Sequence, residues 1–397
     1  MGASNTLICG YYGHYNWGDE AMLTGLLRLL RPYCPHVTVY SAAPDNTQAR
    51  HGVKTLSTVP PRRRLQAWRQ QWQHTRAMLT HRCFVLGGGD LLRDSPTHEV
   101  AGVWLAPLQQ AVQLGHTTLV LGISVGDIWK AESRQQIPRV LNRVSLIAVR
   151  DQISRHRLID LGVRRPIQVM PDLALQALPP TAIQQRSQSR ESPQVGLSLR
   201  SVMGRGAIAQ DACQADRALT LDAHLQQVMA TIADTLIERH GATIHLVPFQ
   251  AYPAEYHKRH RPSVDDHAFG LVSQQLSRYP EQWICHPYIA SLDQLLTILQ
   301  SLDLMIGTRL HSLILAAGSG VPAIAIEYDP KVSGFMAAID QTTYVHPLEN
   351  LNTTAITTQA EAILTRWPQA HSAILTGLAQ YNRGWQSPVS SLEDLLR

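Results

Sequence analysis

Short continuous apolar runs alternate along this chain with longer stretches whose apolar positions recur every third or fourth residue. The first kind reads as strands buried on both faces, the second as amphipathic helices, and their alternation predicts parallel sheets covered by helices. The clearest stretch runs from Asp303 to Asp340, DLMIGTRLHSLILAAGSGVPAIAIEYDPKVSGFMAAID. It predicts a strand over 303–306, a helix over 310–317, a glycine-rich break, a strand over 322–327, and a further turn and helix.

The same rhythm fills the rest of the chain. Strands are expected over 6–11, 36–41, 83–86, 117–123, 145–149 and 167–170, with helices over 20–30, 61–82, 98–114 and about 132–143. Residues 176–194 are polar and carry three prolines, which marks a linker. Alternation then restarts with strands over 195–199, 243–247 and 283–286 and helices over 220–239, 265–278 and 292–302, the last capped by Ser291. The fold class this predicts is α/β, two Rossmann-like doubly wound domains facing across a cleft. The N-terminal domain spans 1–175, the C-terminal one 195–345, and helices over 346–397 are expected to pack back on the N-terminal domain.

Length and composition agree with this. The chain has 397 residues, 44% hydrophobic and 16% charged, with a formal charge of +5. That describes an ordered protein of two or three domains, and the modest positive charge suits an anionic small molecule or a membrane surface. No aromatic-plus-basic RNA motif or zinc-finger spacing is present, so no nucleic-acid partner is expected. The five cysteines (Cys9, Cys34, Cys83, Cys213 and Cys285) are scattered, and three fall in strand-like runs. They read as buried thiols in a reducing compartment, with no metal-site spacing. The N-terminus has no basic region followed by a long apolar stretch, and the longest apolar passage is broken by Gly318, Ser319, Gly320 and Pro322. A cytoplasmic protein is the expectation.

The helix over 61–82 places Leu65, Trp68, Trp72 and Leu79 on one side, with Arg62, Arg63, Arg64, Arg69, Arg76 and Arg82 around the rest. A basic helix with tryptophans can rest on an anionic membrane. The commoner arrangement packs such a helix into the protein and leaves only a solvated face outside.

Candidate chemistry gathers at strand ends. Arg150, Arg200 and Arg309 each follow an apolar strand, and Lys331 follows the next one. In two facing domains these positions can converge, and guanidinium forks match carboxylate and phosphate. Arg309 at a helix N-terminus is electrostatically costly unless an anion pairs with it, which points to an anionic ligand. His311, two residues on, is a candidate general acid. In GYYGHYNWGDE, Asp19 and Glu20 occupy the first helical turn, where carboxylates would repel a phosphate. That turn reads either as a capped helix start with core aromatics or as a place where Asp19 meets a hydroxylated ligand.

The stretches GYYGHYNWGDEAM, VLGGGDLLRD, AVRDQIS, GLSLR, LVPFQ and GTRLHSLILAAGSGVPAIAIEYDPK resemble, in order, the motifs of the polysaccharide pyruvyl transferases, closest to the CsaB type. The resemblance covers about residues 5–345. It implies a glycosyltransferase-B-like fold and transfer of the enolpyruvyl unit of phosphoenolpyruvate (PEP) to two sugar hydroxyls, giving a ketal and phosphate. By resemblance Asp19, Arg150, Arg200, His311 and Lys331 match activity-bearing positions and Arg309 a donor-binding one. No cofactor or metal is expected, since arginines and lysine can carry the charge a magnesium ion would neutralise. The implied acceptor is a lipid-linked sugar at the inner membrane face. SVGDI, Asp90 in GGGDLLRD and SLRSV depart from the usual pattern, which bears on the acceptor more than on the PEP chemistry. Two other functions fit the same architecture: a nucleotide-sugar glycosyltransferase, with Glu327 on the donor ribose, and a non-catalytic binding protein.

Overall fold

The computed structural model describes residues 5–59, 64–95, 99–179, 181, 183, 190–202, 212–253 and 265–397, with 212–214 as backbone alone. The chain divides into two compact units, one of Met1–Ala177 with Asn382–Arg397, the other Leu178–Tyr381. Most of the presumed linker, Arg62 and Arg63 lie outside the described residues.

The first unit holds a seven-stranded sheet. Its strands are β1 (Thr6–Cys9), β2 (Val37–Ser41), β3 (Lys54–Ser57), β4 (Cys83–Leu92), β5 (Thr117–Val125), β6 (Leu146–Val149) and β7 (Ile167–Val169). They lie in the order 3-2-1-4-5-6-7, every pairing parallel. The second holds six parallel strands, β8 (Gln194–Ser198), β9 (Thr243–Leu246), β10 (Trp283–Cys285), β11 (Leu304–Gly307), β12 (Ala323–Glu327) and β13 (Val345–Pro347), in the order 10-9-8-11-12-13. Each sheet has its own core, around Leu7, Phe84, Leu86 and Val120 in the first and Val195, Leu197, Ile306 and Ile324 in the second, all essentially inaccessible. Burial on both faces is why the central strands read as unbroken apolar runs.

Three local expectations need correction. The strand expected over 83–86 is longer: β4 runs on through GGGDLL to Leu92, with a register irregularity between Gly89 and Leu92. The helix placed over 220–239 begins earlier, at Ala212, and runs to His240. The helix in the arginine-rich segment runs Arg64–Thr80 and packs through Gln70, His74, Ala77 and Met78, while Leu65, Trp68, Trp72 and Leu79 face outward. Beyond residue 346, the helices Thr353–Thr365 and Trp367–Asn382 belong almost wholly to the second unit, where Trp367 Nε1 donates to Asp303 O at 3.0 Å. The last helix, Gln386–Leu396, joins the first unit: Tyr33 Oη donates to Glu393 Oε1 at 2.9 Å and Gln168 Nε2 to Ser391 Oγ at 2.8 Å.

One histidine on the second sheet makes stability depend on pH. Burial, aided by the charges of His286 and Arg190, pushes His245 down to about 4. Its Nε2 meets Gln194 Oε1 at 2.8 Å and its Nδ1 lies 3.3 Å from His286 Nε2, so a second proton would put a charge in a buried place beside another imidazole. The folded value lies below the unfolded one. This contribution is therefore complete above about pH 6.5 and is lost as pH falls toward 4. His245→Gln should flatten the fall in melting temperature over that interval by the equivalent of about 2 kcal/mol, read from thermal melts at stepped pH.

Candidate functional site

Each sheet reverses its winding once, between β1 and β4 in the first unit and between β8 and β11 in the second. In doubly wound sheets the crevice outside the strand C-termini at such a point is where ligands bind.

At the first reversal, the turn after β1 enters the helix Trp17–Leu30. Asn16 caps it, its Oδ1 accepting the Gly18 N–H at 2.9 Å. Glu20 folds back so that Oε1 accepts the Gly13 N–H at 2.9 Å and Oε2 meets His51 Nε2 at 2.7 Å. Burial opposes its charge, but the His51 bond and charge with the Gly13 N–H hold its carboxyl below the usual range. Gly13 has φ +79°, and a Cβ there would lie 2.2 Å from Ser41 Oγ, so only glycine fits. Tyr12, Tyr15 and Trp17 are buried, and the capped start with core aromatics describes most of this turn. Asp19 differs from Glu20. It is 7% exposed and borders the glycine segment of β4, where a Cβ on Gly89 (φ +90°) would come 3.3 Å from its Oδ1. Burial first and the Asp19 charge second push the Tyr12 phenol upward. Asp19 thus lies at the reversal point beside backbone that only glycine can form.

Arg150 ends β6 in the same unit. It is buried, with Nη1 3.3 Å from Asp172 Oδ2 and Nε 3.8 Å from Asp151 Oδ2, so its charge is met inside the unit.

At the second reversal the neighbouring strands are laced together. The Thr308 N–H donates to Ser198 O at 2.9 Å and Thr308 Oγ1 accepts the Arg200 N–H at 2.9 Å. Arg200 Nη1 donates to Tyr328 Oη at 3.1 Å, and its guanidinium carbon lies 5.2 Å from the Tyr328 ring centre. Lys331 Nζ lies 6.0 Å from the same ring centre and 3.5 Å from Asp329 Oδ2. Asp329 also caps the helix Pro330–Ala338. The structure thus brings Arg200 and Lys331 together over Tyr328, both half-buried. His311, half-buried, is the second residue of the helix Leu310–Gly318, which follows β11, the strand between β8 and β12 that lead to Arg200 and Lys331.

Arg309 is placed differently from expectation. It caps that helix from a buried position, and its fork grips Asp266, Nε to Oδ2 at 2.9 Å and Nη2 to Oδ1 at 2.5 Å. Nη2 also donates to Gln250 Oε1 at 2.9 Å. The anion that a cation at this helix start demands is therefore supplied by the chain, which removes the argument from Arg309 to a bound anion. Burial pushes the Asp266 carboxyl up, with Arg309, Arg200 and the Gln250 N–H pulling against it. The Arg200 charge thus acts on the same carboxylate. Sequence reasoning missed Asp266 and Tyr328. Asp265 caps the helix Asp266–Leu276 through the Ala268 N–H at 3.0 Å, and the spare second carboxylate was the available signal. Among the described residues no three His, Cys, Asp or Glu side chains gather as a metal site requires.

A family model for polysaccharide pyruvyl transferases matches residues 16–330. The chain belongs to that family. It is accordingly a transferase with a polysaccharide acceptor. No curated protein matches the chain. Among solved structures it is similar to a putative UDP-N-acetylglucosamine 2-epimerase from Listeria monocytogenes, with a TM-score of 0.59 and 12% identity over 99% of this chain and 98% of that one. It is also similar to Anabaena HepE in complex with UDP and glucose, with a TM-score of 0.58 and 14% identity over 98% and 100% of the two chains. A third is the Neisseria meningitidis UDP-GlcNAc 2-epimerase bound to UDP-GlcNAc, with a TM-score of 0.55 and 10% identity over 98% and 100%. At such identities the likeness establishes the fold, which is glycosyltransferase-B-like as the sequence led us to expect.

Proposed function

We propose that this pyruvyl transferase moves the enolpyruvyl unit of PEP onto two hydroxyls of one sugar in a cell-wall or cell-surface polysaccharide, in the manner of the CsaB type. The observation that carries the reading is the cationic reversal point of the second sheet, where Arg200 and Lys331 share Tyr328. Their charges suit the carboxylate and phosphate of PEP. His311 delivers a proton to the methylene carbon, and positive charge develops on the carbon bearing phosphate and carboxylate. One sugar hydroxyl, deprotonated by Asp19, bonds to that carbon. Phosphate then leaves with the electron pair of its C–O bond, and the second hydroxyl closes the ketal. Of the two hydroxyl protons, one balances the new methyl group and the other leaves with phosphate. Arg309 holds the Gln250 and Asp266 side chains behind this point, and Arg150 plays the corresponding part beside Asp172 in the first unit.

A nucleotide-sugar donor is the rival reading, favoured by the UDP bound in HepE and the UDP-GlcNAc bound in the Neisseria epimerase. Glu327, its candidate ribose contact, accepts a hydrogen bond from the Ser333 hydroxyl. Thermal melts separate the two. PEP should raise the melting temperature of the wild-type protein and not that of Arg200→Ala/Lys331→Ala. Stabilisation by UDP sugars alone would overturn the PEP reading.

A further inference from the structure

The helix Arg64–Thr80 sits on the first unit with its apolar stripe turned outward. Leu65, Trp68, Trp72 and Leu79 are 80%, 70%, 53% and 61% exposed. At 100° per residue these four fall within one narrow stripe. The inward side is formed by Gln70, His74, Ala77 and Met78, at the i, i+4, i+7, i+8 spacing of a single face. It is anchored by polar bonds: His74 Nε2 meets Ser57 O at 2.9 Å, and Gln70 Nε2 donates to Val59 O at 3.2 Å. Val59, itself 52% exposed, adds to the outward apolar surface. A helix that buries only Ala77 and Met78, is otherwise held by Gln70 and His74, and leaves two tryptophans facing outward departs from the usual arrangement.

Charge indicates what covers that stripe. Between Asp45 and Asp90 the sequence holds eight arginines and lysines and no aspartate or glutamate, whereas the rest of the chain carries slightly more carboxylates than cations. The basic character of the protein is therefore concentrated around this helix. Arg69 and Arg76 lie on the same side as the stripe by helical position, and the Arg76 guanidinium carbon is 5.4 Å from the Trp72 ring centre. Tryptophan beside arginine is the pairing that settles at a lipid headgroup boundary, rings in the interface and cations on the phosphates.

We propose that the Arg64–Thr80 helix is a docking surface for anionic lipid, laying the first unit on a bilayer through Leu65, Trp68, Trp72 and Leu79 with Arg69 and Arg76 on the headgroups. Among the described residues no helix is long and apolar enough to cross a membrane, so this contact is interfacial. It does not depend on the PEP chemistry.

The test is flotation of the full chain with vesicles of phosphatidylcholine, with and without phosphatidylglycerol, in the absence of substrate. The wild-type protein should float with the anionic vesicles alone, and high salt should release it. Trp68→Ser/Trp72→Ser and Arg69→Glu/Arg76→Glu should each weaken that binding about tenfold or more. Because these side chains are exposed, both variants should melt like the wild-type protein and keep turnover on a water-soluble acceptor. No binding by the wild-type protein, or equal binding by the wild-type protein and both variants, would overturn the proposal. So would a concentration-dependent dimer in the ultracentrifuge that Trp68→Ser/Trp72→Ser abolishes while vesicles stay unbound, since a second copy would then cover the stripe.

Discussion

His311→Ala is expected to abolish ketal formation, lowering kcat by roughly 10²- to 10⁴-fold as lost proton transfer does, while the protein still folds and still binds PEP. The expectation rests on placement. His311 is the second residue of the helix that follows β11, flanked in the sheet by the strands that lead to Arg200 and Lys331. Its imidazole therefore belongs to the strand-end edge at the one reversal point of the second sheet. It is half-buried, so truncation to alanine removes few packing contacts, and the melting temperature should stay close to that of the wild-type protein. The measurement is phosphate release from PEP with acceptor present, alongside PEP-induced stabilisation in a thermal melt. Near-normal release would remove His311 from the reaction. Loss of release together with loss of PEP stabilisation would make it a binding residue rather than the acid.

Several features of this site were legible because they are local. A strand, a turn and an apolar helix followed by a second strand can be read from GTRLHSLILAAGSGVPAIAIEYD, since burial on both faces demands continuous apolar runs. That places Arg309, His311 and Lys331 at strand ends without any coordinates. Partners distant in sequence could not be read. Asp266 lies 43 residues before Arg309, and nothing near either residue announces that the two side chains meet. The same limit applies to the Arg64–Thr80 helix. Periodicity tells which residues share a face, but which face is covered depends on Ser57 and Tyr40 from other strands. The strand expected over 83–86 stops where the apolar run stops, yet the glycines after it let β4 continue past Met22 and Asp19, where a Cβ on Gly88 or Gly89 would press on those side chains. Strands as short and polar as β3 and β13 were missed because neither carries an apolar run.

Arg309→Ala should cost about 3–5 kcal/mol of stability, the usual consequence of removing one partner of a buried ion pair. Asp266 is 2% exposed, and without the fork its charge would keep the N–H groups of Phe249 and Gln250, at 3.2 and 2.9 Å, and the Arg200 charge, with no ion pair among the described residues. The second substitution decides what Arg309 is for. In Arg309→Met/Asp266→Asn the neutral amide oxygen can still accept from those backbone groups, and the thioether chain fills the space of the arginine stem. Most of the lost stability should return, since a neutral pair has no buried charge left unmatched. If Arg309 serves chiefly to hold Asp266 and Gln250 in place, the KM for PEP should recover with stability. A double variant that melts like the wild-type protein but keeps a KM raised by about tenfold or more, the scale on which a lost charge-assisted contact is felt, would instead put the Arg309 guanidinium on the donor itself.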